Sequence, residues 1–363
     1  LWQEMSQRLT GFPRHLGIHS GGFVISHEAM DSICGQEPAT MPGRSVIQWS
    51  KDDIEALNIV KVDVLALGML TVLRKGFATI KEHFHRDLHL YNLPGDDPKT
   101  FAMIQKGDTV GTFQIESRAQ MSMLPRLRPE KFYDLVVQVG IIRPGPIQGG
   151  LIHPYIRRRQ GLEAVSYPDD RLKDILERTL GIPVFQEQIM RVAMKLGSFS
   201  AGEADELRKK IGSWSLSKDL REIIQKLTTG LLKNGVKKVF VDQIIGYLQG
   251  FANYGFPEAH AASFAMLAYA SSYMKCYFPE AFYLALINSQ PVGFYSVHAL
   301  IQSARREGVG VLAPDINHSH WDSSLETVGE RVVIRLGFHL IRGLARQTMT
   351  DLIEGRQKKG IWS

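Results

Sequence analysis

The chain has 363 residues, 44% hydrophobic and 22% charged, with a formal net charge of +6. That composition excludes a disordered, collagenous or disulfide-stapled class and fits a soluble globular protein of two or three domains. No run reaches the ~18 apolar residues of a spanning helix, so no membrane partner is expected. The charge fits an anionic partner such as nucleic acid without demanding one. Cys34 and Cys276 are far apart, with no second Cys or His at metal-ligand spacing, which points to a reducing cytoplasm.

Residues 1–15 form a polar, helix-prone lead. Residues 16–68 read as mixed strands, first Gly21–Ser26 and then Ser45–Trp49. The third, within Ile59–Gly68, alternates as Val60-Lys61-Val62-Asp63-Val64. Alternation puts three valines on one face and Lys61 with Asp63 on the other. A carboxylate and an ammonium so placed can hold a divalent metal and a phosphate side by side, which suits phosphoryl or nucleotidyl transfer. Taken alone, these ten residues read more readily as a half-exposed edge strand with a surface ion pair. Gly68 then leads into a helix over 70–84.

Residues 95–290 look mainly helical, punctuated by Gly and Pro. The loop Gly107–Arg118 gathers Gln114, Glu116 and Arg118, but lacks the Gly-Lys-Ser/Thr ending of a P-loop. The apolar run 136–142 stops at Arg143-Pro144-Gly145-Pro146, where two prolines forbid continuation. His153-Pro-Tyr-Ile-Arg157-Arg158-Arg159 is a basic run with an aromatic neighbour, either solvated or set against phosphates. Phe185-Gln-Glu187-Gln188 supplies a carboxylate with no partner in sequence, read as structural or positioning. Ser200 and Glu203 spell a capping box opening a helix over 201–211. On that helix Asp205, Arg208, Lys209 and Gly212 share one face, where either Arg208 and Lys209 grip a triphosphate or the helix is simply exposed with an Asp205–Lys209 pair.

Pro257 opens a helix running to about Tyr277. Before and along it lie Tyr254, Phe256, His260 and Ser263: an aromatic corner with a capped helix, or an anion site at a helix N-terminus with a ring to stack on a base. After Pro291 come a strand at 309–312, a hairpin turning at Gly329-Glu330, and a basic helical piece over 340–359. The last residue falls inside an unfinished basic segment, so a fragment is expected.

Val60–Leu65, Gly111–Arg118, Arg143–Pro146, Phe185–Gln188, Ala204–Lys209 and Tyr254-Gly-Phe256…His260 resemble, in order, the alpha subunits of bacterial C-family DNA polymerases. Phe256–Phe264, Leu286–Ser296 and Pro314–Asn317 followed by Trp321-Asp322 resemble its error-prone, damage-inducible branch. The resemblance implies an α+β chain: a nucleotidyltransferase-like palm segment with a mixed β-sheet, then a large, mainly helical fingers domain, then a helix-hairpin-helix start. The implied divisions are 1–15 end of thumb, 16–68 second palm segment, 69–290 fingers, 291–335 connector and 336–363 truncated helix-hairpin-helix.

By the same resemblance the chain is part of a DNA-directed DNA polymerase that works by two Mg²⁺ ions, in error-prone translesion synthesis. Asp63 would be a metal carboxylate and Lys61 its catalytic neighbour near the triphosphate. His19 through Gly22 matches a palm strand close to that centre. Arg208, Lys209, His260, Tyr254, Phe256 and Ser263 would meet the nucleotide. At Lys209 the replicative relatives usually carry Arg. Arg118, Arg143, Arg157, Arg158, Arg159 and Arg342 would meet DNA. No Asp-x-Asp precedes residue 63, so one of three metal carboxylates is present. Ala345 stands where the hairpin expects Gly. Implied partners are primer-template DNA, dNTPs, a sliding clamp and accessory mutagenesis proteins. The alternatives are a replicative alpha subunit or a non-catalytic DNA-binding scaffold.

Overall fold

The computed structural model describes residues 2–11, 17–19, 21–142, 149–212, 218–251, 256–293 and 295–359. It divides into two units, Leu1–Leu67 and Gly68–Ser363.

The first unit opens on helix α1 (Trp2–Leu9), exposed along its length. Strand β1 (Gly22–Ile25), the short α2 (Met30–Ile33), β2 (Gln36–Pro38) and β3 (Ser45–Ile47) follow. Helix α3 (Lys51–Ala56) is set by a capping box. Ser50 N donates to Asp53 Oδ2 at 2.9 Å, and Asp53 N donates back to Ser50 Oγ at 3.3 Å. It closes at Asn58, which takes φ 53°, a left-handed conformation that Asn tolerates well. Ile59 N then reaches Ile54 O at 3.1 Å, and the chain enters β4 (Val60–Asp63).

Strands β1 and β4 pair antiparallel, with Gly22 opposite Asp63 and Val24 opposite Lys61. Strands β2 and β3 form a second antiparallel pair. The valine face expected of β4 is not buried: Val60 is 58% exposed and Val64, beyond the strand end, 64%. Alternation survives; the covering layer does not.

The second unit is helical until its last quarter. Helix α4 (Gly68–Phe84) buries Met69, Val72, Leu73 and Ile80. Helix α5 (Pro98–Gln105) has Asp97 as N-cap, accepting from Thr100 N at 2.8 Å, and Pro98 at its first position. Helices α6 (Arg118–Leu127), α7 (Phe132–Ile141) and α8 (Gly149–Arg159) follow. Around them, with the long α14 introduced below, runs one core that includes Ile115, Leu124, Leu135, Val139 and Phe185.

A second core gathers α9 (Lys173–Leu176), α10 (Gln186–Leu196), α11 (Ala201–Gly212), α12 (Lys218–Lys233) and α13 (Lys238–Phe251) around Leu176, Val192, Leu207, Leu227 and Val241.

Helix α14 (Glu258–Tyr277) is the spine of this unit, packing on α4, α5, α7 and α15 (Pro279–Ile287). Its alanines 261, 265, 268 and 270 are buried and let neighbours approach closely. At Gly76 of α4 an added Cβ would lie 2.3 Å from Met274 Sδ. After α16 (Val297–Arg306), β5 (Gly310–Leu312) pairs parallel with β7 (Arg331–Arg335), which pairs antiparallel with β6 (Ser324–Val328). This is the chain's mixed sheet, and its hairpin turns at Gly329-Glu330 as expected. Helix α17 (Arg346–Lys359) closes the described residues. Among these, no helix is long and apolar enough to cross a membrane.

Candidate active site

In the first unit the β1–β4 register brings three polar side chains to one point. The Lys61 ammonium is hydrogen-bonded to Asp63 Oδ1, and His19 Nε2 lies 4.0 Å from the same oxygen. Gly21 N donates to His19 Nδ1 at 3.1 Å, fixing that ring. Gly22 leaves the space they need: a Cβ there would sit 2.7 Å from His19 Nδ1 and 2.8 Å from Asp63 Oδ1. His19 and Gly22 also line a cavity of about 850 Å³ with Thr40, Met41, Arg44 and Ser45.

The Lys61 hydrogen bond, with the Coulombic attraction of the same ammonium, outweighs desolvation and holds the Asp63 carboxyl below its ordinary range, so it is ionised at neutral pH. An ionised, half-exposed carboxylate is a suitable hard donor for Mg²⁺. Among the described residues no cluster of three or more His, Cys, Asp or Glu could hold an ion. Asp63 therefore fits as one ligand and does not make a site by itself.

In the second unit the basic face of α11 is as drawn from the sequence. Ser200 N donates to Glu203 Oε2 at 2.8 Å in the expected capping box. Arg208 (Nη2, 2.8 Å) and Lys209 (Nζ, 2.8 Å) both engage Asp205. Those bonds, Lys209 first, lower the Asp205 pKa. The buried Ala204 and Leu207 anchor the helix beneath.

On α14, the His260 ring stands between Phe256 (centroids 4.8 Å) and Phe264 (4.1 Å), and Phe113 packs edge-on against Phe264 at 5.1 Å. His260 remains exposed. Ser263 does not join it; its hydroxyl donates back to Ala259 O at 3.0 Å. The α14 N-terminus, expected to attract an external anion, already accepts an internal one: Glu258 N donates to Glu187 Oε2 at 2.9 Å. Tyr254 lies outside the described residues.

The six arginines assigned to DNA separate by environment. Arg118 is exposed at the first position of α6, and Arg342 is exposed in a turn before Gly343. Arg157 is 60% exposed, 3.4 Å from Glu163. Arg158, with its side chain 7% exposed, is turned inward instead. It binds Glu163, Ser166 O and Leu180 O at 2.7–3.0 Å. Arg159 likewise ties Leu127 O, Arg128 O and Asp134. Both stitch α8 to its surroundings. Arg143 lies outside the described residues.

Residues 1–66 match the bacterial DNA polymerase III alpha NTPase domain, 69–235 its finger domain, and 308–363 a helix-hairpin-helix motif. The chain is 52% identical to error-prone DNA polymerase 3 of Agrobacterium fabrum, covering 99% of this chain and 33% of that protein. It is 52% identical to error-prone DNA polymerase 2 of Rhizobium meliloti over 97% of this chain and 33% of that one. For the error-prone DNA polymerase of Bordetella bronchiseptica the identity is 51%, with 99% and 34% covered. The chain belongs to the bacterial DNA polymerase III alpha-subunit family. It spans about a third of the length of these relatives.

Two groups of this alpha-family chain, Lys275 and Glu116, make contacts that a reading of the sequence does not show. Lys275 is 2% exposed. Its ammonium holds Asp108 O (3.0 Å), Val110 O (3.2 Å) and Glu307 Oε1 (3.0 Å), pinning the start of the 107–118 loop. Within that loop Glu116 Oε2 accepts from Gly111 N at 3.1 Å, and burial pushes its pKa up to about 7. The one signal for Lys275 was a lone charge inside the apolar half of α14. Glu116 was gathered with the 107–118 loop, but nothing local marked its hydrogen bond to Gly111 N.

Proposed function

We propose that this chain is the palm-to-fingers part of an error-prone DNA polymerase. It would transfer a nucleotide from a dNTP to a primer 3′-hydroxyl, in translesion synthesis during DNA repair. The observation that carries the reading is the Lys61–Asp63 pair beside His19, in a chain half identical to error-prone DNA polymerases.

In this reading Asp63 ligates Mg²⁺ together with carboxylates supplied from elsewhere in the palm. Bound there, two ions would lower the pKa of the primer hydroxyl and neutralise the departing pyrophosphate. Lys61 sits on a flexible stem against Asp63 and is the point charge available to an incoming phosphate. Arg208 and Lys209, parked together on Asp205, would exchange that carboxylate for the triphosphate. Arg208 brings a planar fork and Lys209 a compact charge. His260, with Phe256, would face the nucleotide, and the resemblance assigns Tyr254 the same role.

Contacts to primer-template DNA are assigned to Arg118, Arg157 and Arg342, which are exposed, and to Arg143. Sequence would be read by base pairing, so these contacts go to phosphates. A cytoplasmic location, a sliding clamp and accessory mutagenesis proteins follow from the same reading.

Single-nucleotide incorporation by the intact polymerase carrying Lys61→Ala tests it. Loss of that charge should lower kcat/KM for dNTP by about 10²-fold or more, with primer-template affinity within about twofold of the parent. Unchanged kinetics would return Lys61 and Asp63 to an edge-strand ion pair.

A further inference from the structure

The segment around Glu187 is clipped into the second unit from two sides. Inward, Gln188 is 4% exposed and uses both amide lone pairs and both donors. Its Oε1 accepts from Val184 N (2.8 Å) and Phe185 N (3.1 Å). Its Nε2 donates to Ile175 O (3.0 Å) and Thr179 Oγ1 (2.8 Å). Outward, Gln186 N donates to Phe256 O at 3.2 Å, and Glu187 Oε2 accepts from Glu258 N at 2.9 Å.

Glu258 is the first residue of α14. The residue before it, Pro257, has no side chain able to cap, so Glu187 supplies the cap from 71 residues upstream. The Glu258 side chain closes the loop of contacts. It accepts from Tyr133 OH at 2.7 Å and lies 3.9 Å from Arg178, whose guanidinium sits 3.7 Å from the centre of the Tyr133 ring. Arg178 belongs to the same 175–179 turn that Gln188 grips. The first turn of α14 is thus held from both sides, and that turn carries the His260 ring between Phe256 and Phe264.

We propose that Glu187 is a positioning residue for nucleotide selection: its carboxylate caps α14 from outside and sets the angle at which His260 meets the incoming nucleotide. The proposal rests on the reading of His260 as a nucleotide contact. A carboxylate at this end also offsets the positive pole of the helix, so recognition there falls to the ring of His260 and not to the helix terminus. The pattern Phe185-Gln-Glu-Gln188 then has a division of labour: Gln188 anchors, Gln186 docks through its backbone, and Glu187 aims.

Single-nucleotide incorporation by the intact polymerase separates the possibilities. Glu187→Ala should raise the KM for dNTP about tenfold, the worth of one charge-assisted hydrogen bond. Primer-template affinity and thermal midpoint should stay near the parent. Glu187→Gln, which keeps an acceptor, should restore most of the loss. In the double variant with His260→Ala, Glu187→Ala should add little further, because both changes act through the same ring. A normal KM in Glu187→Ala beside a raised KM in His260→Ala overturns the positioning role. A normal KM in His260→Ala overturns the reading of His260 itself. Parallel loss of DNA affinity, kcat and thermal midpoint, not rescued by Gln, makes the contact purely structural and also overturns the proposal.

Discussion

Gly22 shows how far a single residue can govern the centre of the first unit. Its backbone needs no left-handed freedom; what it supplies is space. A Cβ at 2.7–2.8 Å from His19 Nδ1 and Asp63 Oδ1 forces movable side-chain ends apart and leaves the strand backbone in place. Gly22→Ala should therefore reduce nucleotide incorporation by about tenfold or more, while a thermal melt moves by less than about 4 °C. A large fall in melting temperature with proportionate activity would place the constraint in the backbone instead.

Glu116 offers a second residue-scale test, through pH. Its folded pKa of about 7 lies above the ordinary 4.5, so between these values the folded state holds more protons than the unfolded state. Stability should accordingly fall as pH rises from about 4.5 to 7 and then level off, by at most about 3 kcal/mol from this group. Glu116→Gln should flatten that slope in urea titrations at pH 5 and 8. An unaltered slope would mean the carboxyl titrates normally.

At the scale of elements, the helices that begin with local chemistry were legible. Ser200 with Glu203 opened α11, Pro257 preceded α14, and Gly329-Glu330 turned the β6–β7 hairpin. Each signal lies within a few residues of what it specifies. The Lys209–Asp205 pair was legible for the same reason, since helical spacing alone brings the two together, and the structure adds Arg208 to it. Bonds formed across the chain left no such trace. Nothing local marks Arg158 as an inward strut to Leu180, or Glu187 as the cap of α14. The exposed valines of β4 show the converse: alternation specifies two faces, and only tertiary structure decides whether one is covered.

Lys275 makes another of these non-local bonds. Its ammonium joins α14 to the 107–118 loop and, through Glu307, to the end of α16, where Tyr283 OH also meets Glu307 Oε1 at 2.5 Å. Lys275→Met would leave Glu307 with its charge uncompensated and should cost about 3–5 kcal/mol in urea unfolding. A change below about 1 kcal/mol would mean that solvent replaces the ammonium freely.

Across the whole molecule the two units differ in how they are held. Gly68–Ser363 holds extended apolar cores, whereas Ile54 is the one buried apolar side chain among the described residues of Leu1–Leu67. Phe23, Ile25, Val60 and Leu65 are about half exposed or more. Amide exchange on this chain should find β1 and β4 weakly protected, and α7, α14 and α15 protected near the global limit. The weakly held unit is nevertheless the one that carries Lys61 and Asp63, whose geometry depends on the four residue pairs between β1 and β4.

Whether Asp63 is a metal ligand of a working polymerase is decided by primer extension on a short gapped template with Mg²⁺, comparing the intact polymerase with its Asp63→Ala variant. The parent should extend the primer, and the variant should lose about 10³-fold or more of that activity with DNA still bound. Extension that survives Asp63→Ala, or DNA binding without extension by either protein, would contradict that role.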